Sequence, residues 1–161
     1  ADGFGKRYPV VTLREAEEAR AQADKLDAQI TALPDFGHEE QLQPLVAARA
    51  ALADKLVDGV TLGAAKKVTK RPIFVRVPTG VWALRAPGAS AAGAYTDAIA
   101  AWTARSADAS FAGAARSLVL ACVLSPDAAT AAQQIDEHPH IAYSLVDTLR
   151  DSGGGKALRG V

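Results

Sequence analysis

The stretch "TLREAEEARAQADKLDAQITAL", residues 12–33, constrains the fold more than any other in the chain. Thr12 and Glu15 have the spacing of a capping box, in which hydroxyl and carboxylate each satisfy a free backbone donor at a helix start. The spacing predicts a helix from about Leu13. Along it Ala16, Ala19, Ala23, Leu26, Ile30 and Leu33 recur at alternating steps of three and four. That is one narrow, coiled-coil-like stripe whose alanines allow close approach. Pro34, Asp35 and Gly37 stop the helix. "HEEQLQPLVAARAALADKLVDG" starts another, with a stripe at Leu42, Leu45, Arg49, Leu52 and Leu56. Pro44 suits only a first turn, which places the regular part from near that residue. A connection this short makes the two helices antiparallel neighbours. Residues 12–58 therefore read as a helical hairpin about 30 Å long, from about 20 residues at 1.5 Å each. Two helices alone bury little, so the hairpin needs a further surface, either in the rest of the chain or on another molecule.

Charge divides the chain into segments. Lysine plus arginine equals aspartate plus glutamate at 18 each, so no global field draws the protein to nucleic acid or to an anionic membrane. Residues 12–58 carry ten acids and five bases, whereas 59–85 carry no acid and six bases. This gives an N-terminal segment with the hairpin (1–58), a basic hinge with a small β element (59–85), a helical module (86–150) and a Gly-rich tail (151–161). With 161 residues, 49% of them hydrophobic, the chain has room for one core, or one core plus a projecting element.

In the hinge, "RPIFVRVPTGVWALRAP" has the β-branched and aromatic content of a strand from Ile73 to Val77, a Pro-Thr-Gly turn and a returning strand from Val81 to Leu84. The competing reading has Thr79 capping a short helix that contains Trp82 and Leu84. "RYPVV", Arg7 to Val11, adds a candidate edge strand, where Pro9 is tolerated. Beyond the hinge the chain is alanine-rich and helical in period. Tyr95, Ile99 and Trp102 share one face, as do Ala115, Leu118 and Cys122. Ser125 and Pro126 end one helix and begin the next, Asp136 to His140 form a break, and a final short helix is closed by Gly153. The tail "SGGGKALRGV" is expected to be flexible. The fold class expected is mainly α: an N-terminal antiparallel helical hairpin, a small β element and a C-terminal bundle of short helices.

Candidate chemistry is sparse. The single cysteine, Cys122, excludes an intrachain disulfide and lies among leucines and valines, where a buried thiol is inert because the nucleophile is the thiolate. His138 and His140 flank Pro139. As metal ligands they have only His38, Asp136 and Glu137 to complete a site, and as structure they mark a helix boundary with Pro139 in the first turn. Asp151-Ser152-Gly153-Gly154 matches the surroundings of a serine-protease nucleophile but lacks the rest of the pattern, and "GGGKA" fails as a phosphate loop. No catalytic residue, metal or cofactor is expected. The basic cluster Lys66, Lys67, Lys70 and Arg71, beside Phe74, reads as a solvated linker, as a phosphate-binding patch, or as a surface facing the acidic helices of its own hairpin or of a neighbouring copy. The longest uncharged apolar run, Ser117 to Pro126, is about half of the roughly 20 residues a membrane span needs. "ADGFGKRYPVV" lacks the layout of a secretion signal and reads as a cytosolic start from which a Met before Ala1 has been removed.

Taken together, Val77-Pro78-Thr79 after a short strand, the apolar Cys-Val run from Leu120 to Pro126, and Ile135 with Pro139 before the final helix resemble the small tail-assembly chaperones of bacteriophages and prophages. The resemblance covers roughly residues 73–150. It implies a non-enzymatic protein of the host cytoplasm that binds the tape-measure protein during tail building. The long hairpin and the alanine-rich "APGASAAGAY" depart from that family and suggest instead a permanent subunit or adaptor of a phage-like particle, contacting other tail or capsid proteins or its own copies. Aromatic residues often anchor interfaces, which makes Phe36, Phe74 and Trp82 the candidate contact residues. The rival classes are an enzyme using Cys122, His138 or His140, and a nucleic-acid adaptor working through the basic cluster.

Overall fold

A four-stranded antiparallel sheet organises the molecule, with strand order β1-β2-β3-β4. The computed structural model describes residues 8–34, 36–105 and 110–151. Val10–Thr12 (β1) runs along Ile73–Val77 (β2), which turns through Pro78 and Thr79 into Gly80–Leu84 (β3). The hairpin register pairs Val75 with Trp82 and Val77 with Gly80. Gly80 sits at φ +142°, a backbone that side chains rarely adopt. The strand reading of this region holds, and the alternative of a helix capped by Thr79 does not. Of the edge strand expected over Arg7 to Val11, only Val10 and Val11 are strand, and β1 runs on to Thr12; Tyr8 and Pro9 precede it and Arg7 lies outside the described residues.

Val123–Ser125 form a fourth strand, β4, where the sequence pattern indicates helix. It follows Phe111–Cys122 (α5) without a loop and pairs with β3 in an irregular register, Ala83 with Ser125 and Leu84 with Val123. The helix expected to last until Ser125 and Pro126 stops at Cys122, because the open edge of β3 accepts the extended backbone. Three residues leave no periodic signal in the sequence.

Alternation along the strands sends side chains to two faces, and both are covered. On one face Ile73, Val75, Val77, Trp82 and Leu84 pack with residues of Ala89–Thr103 (α4), α5, Ala128–Glu137 (α6) and His140–Leu149 (α7). On the other, Val11, Phe74 and Ala83 pack with Ala16, Val57, Leu62 and Ala65. Coverage on both sides explains why "IFV" reads as an unbroken apolar run. Leu62 and Ala65 belong to Gly59–Val68 (α3), a helix within the segment read as a hinge. Asp58 caps it, its carboxylate accepting from Thr61 N at 2.8 Å, and Lys66 and Lys67 in its last turn suit the negative end of the helix dipole.

The helical hairpin is formed by Leu13–Thr31 (α1) and Glu39–Ala51 (α2). The capping box is complete: Glu15 N donates to Thr12 Oγ1 at 3.1 Å and Thr12 N donates to Glu15 Oε1 at 3.3 Å. α2 starts a turn earlier than expected, so Pro44 lies inside it, where the missing N–H forfeits one intrahelical bond. Glu39 and Glu40 in the first turn favour this earlier start. The helix ends at Ala51 and a 3-10 turn follows at Ala53–Lys55, which leaves Leu56 outside the helical stripe.

The break expected over Asp136 to His140 narrows to His138 and Pro139. The helix closure at Gly153, the Asp151-to-Gly154 match beyond Asp151, the tail 152–161, and the stop residue Asp35 lie outside the described residues. Among the described residues, no helix is long and apolar enough to cross a membrane.

Candidate interaction surface of the helical arm

The two helices of the hairpin differ in what they bury. α1 buries Ala16, Ala19 and Ala23, the first half of its stripe, whereas Leu26, Ile30 and Leu33 further out are only half-buried. α2 buries no residue: Leu42, Leu45 and Arg49, and Leu52 just past its end, are all half-buried, and Val46 is 49% exposed. Arg49 Nε donates to Asp27 Oδ1 at 3.0 Å, tying the helices together across the seam. The far half of the hairpin is therefore a two-layer arm that carries an apolar seam with no third element over it among the described residues. At its tip Phe36 is 89% exposed.

The three aromatic candidates separate. Phe74 and Trp82 are core residues, 0% and 1% exposed, one on each face of the sheet. The expectation that they contact a partner is corrected by their burial: both faces of β2 and β3 are covered. Of the three, Phe36 alone is free to meet another molecule. Sequence reasoning passed over Val46, Val60 and Val68, which are 49%, 84% and 57% exposed. Val46 was legible as an apolar residue off the α2 stripe.

The basic cluster also divides. Lys66 Nζ lies 3.4 Å from Glu17 Oε2 on α1, so this part of the cluster faces the acidic helix of its own hairpin. Lys67, Lys70 and Arg71 are exposed. Arg76, in the same segment, is structural: its guanidinium donates to Leu56 O at 3.1 Å.

The remaining candidates are distributed rather than assembled. Cys122 is 1% exposed, and burial pushes its thiol up to about 11 against the opposing pull of Arg85. At neutral pH that group is a thiol, not a thiolate. His140 is exposed with its ring edge to Tyr143, centroids 6.2 Å apart, and Tyr143 in turn stacks on Phe111 at 5.4 Å. Among the described residues no three His, Cys, Asp or Glu side chains cluster as metal ligands. The chain matches no protein-family model, no curated protein and no solved structure.

Proposed function

We infer that this chain is a non-catalytic protein-binding factor in the assembly of a phage-type tail, with the helical arm as its contact element. The single observation that carries the reading is the bare α2: a 13-residue helix with an apolar stripe and no buried residue. Most of the stabilisation of a helix in a protein comes from packing one face, and α2 has that face half-filled. A partner helix laid on the α1–α2 seam completes a three-helix arrangement of the kind apolar stripes form. The assignment to tail building rests on the motifs over residues 73–150, which fall in β2, β3, α5, β4, α6 and α7. A long helical protein such as a tape measure is the partner whose shape fits the seam.

The test is affinity capture of the tagged full-length chain from cells that express phage tail genes, with bound proteins identified by mass spectrometry. The expected result is a helical tail protein retained by the wild type and lost from a Phe36→Ser/Val46→Asp variant. Failure of the wild type to retain any tail protein overturns the reading.

A further inference from the structure

We propose that copies of this chain dock head to tail, the hairpin tip of one seating Phe36 in a cleft at the foot of the next. The cleft, about 400 Å³, lies where β1 runs into α1 beside the segment entering β2. Val10, Leu13, Pro72 and Ile73 supply apolar walls, and Lys70 and Arg71 stand exposed at its edge. Arg14 also lines it, paired with Glu18 at 3.1 Å. No carboxylate is among the lining residues. The volume accommodates a benzyl side chain, and the charge around it asks for an acidic neighbour.

The tip has the opposite character. Phe36 is 89% exposed, and Glu39 and Glu40 are exposed in the first turn of α2, three and four residues further on. Neither acid, and neither Lys70 nor Arg71, takes part in an ion pair among the described residues. An apolar plug flanked by acids thus matches an apolar cleft flanked by bases.

The two cannot meet within one molecule. The cleft includes the first residues of α1, and Phe36 lies past its last, so the 19 residues of that helix hold them about 28 Å apart at 1.5 Å each. Only another copy brings plug to cleft. Because the two surfaces differ, the contact is heterologous, and successive copies extend into a filament or close into a ring. The inference deepens the assembly reading and rests on it, by naming a second copy as one occupant of the arm's end.

Light scattering over a concentration series tests it, with circular dichroism verifying that each variant is folded. The expected result is a mass that rises with concentration and falls back in about 1 M salt, where charges are screened within about 3 Å. Phe36→Ser, Lys70→Glu/Arg71→Glu and Glu39→Lys/Glu40→Lys each give monomer, and the chain carrying all four charge reversals associates again. A wild type that stays monomeric at every concentration overturns the proposal, as does an oligomer indifferent to these changes. A monomer whose arm still captures a tail protein overturns self-docking and leaves the proposed function standing. Salt-sensitive oligomers that capture no tail protein do the reverse.

Discussion

Gln134 on α6 holds Trp82 on β3 by its one polar atom: the indole Nε1–H donates to Gln134 Oε1 at 3.2 Å, and the same oxygen accepts from Thr79 Oγ1 at 2.7 Å. Trp82 is 1% exposed, so its N–H has few other partners within reach. Gln134→Leu leaves that donor buried and unpaired, a loss of about 1–3 kcal/mol. The measurement is urea unfolding of the single variants and of Gln134→Leu/Trp82→Phe. If the hydrogen bond is the cause, Gln134→Leu costs much less on the Trp82→Phe background than on the wild type.

The separation of Phe74 from Phe36 is equally testable. Phe74→Ala opens a cavity in the core that Val57, Leu62 and Ala83 share, with an expected cost of about 3–5 kcal/mol. Phe36→Ser removes a side chain that touches little, and stability should stay within about 0.5 kcal/mol of wild type. Thermal melts of the two variants side by side decide it. A large loss for Phe36→Ser would place Phe36 in the fold, not on an interface.

The alanine seam of α1 predicts a steric effect. Ala23 is 0% exposed, so Ala23→Leu forces extra methylenes into a closed contact at a cost of about 1–3 kcal/mol. Ala21→Leu, the same change at an exposed position on the same helix, should be close to neutral. Equal melting temperatures for the two variants would mean that the seam is looser than the burial implies.

Cys122 should resist alkylation in the native protein at neutral pH and react after denaturation. Its thiol, raised to about 11 by burial, offers neither thiolate nor access. Rapid native labelling would reopen a chemical role for it.

Acid should loosen helix starts first. Thr61 holds the Asp58 carboxyl below its ordinary value, and Thr130 does the same for Asp127 at the start of α6. Lys55 and Thr12 act likewise on Glu15. A carboxylate depressed in the folded state contributes stability above its unfolded pKa, and that contribution disappears as pH falls through the lower folded value. Urea midpoints should therefore be level above about pH 5 and drop below about pH 4. Asp58→Asn/Asp127→Asn keeps capping oxygens that do not titrate, so its midpoint should fall less steeply.

How far the sequence revealed this molecule depended on the range of the interactions involved. Thr12 with Glu15, the Ala16–Ala19–Ala23 stripe and the Ile73–Val77 strand are local patterns, and each was legible within a few residues. β4 was not, since Val123–Ser125 becomes a strand only by meeting β3, some forty residues earlier in the chain. α3 hid behind its lysines: Asp58 with Thr61 and the Leu62–Ala65 spacing were signals present in the sequence, but the charge count drew attention to a hinge instead. Burial of Phe74 and Trp82 needed knowledge that both faces of the sheet are covered, which no single strand announces. For the arm, the apolar seam and its need of another surface were readable in advance. That α2 remains uncovered, and that the cleft lies at the opposite end of α1 from Phe36, follow from the tertiary arrangement and leave no local pattern.

Thr12 is at once the last residue of β1 and the N-cap of α1. No flexible residue intervenes, so the arm is a rigid pointer whose bearing is set by the edge of the sheet. Over about 28 Å of helix, a tilt of about 10° at Thr12 sweeps the tip by about 5 Å. Small changes in how β1 sits on β2, at Val10, Val11 and Thr12, are thereby magnified into larger displacements of Phe36 at the arm's tip.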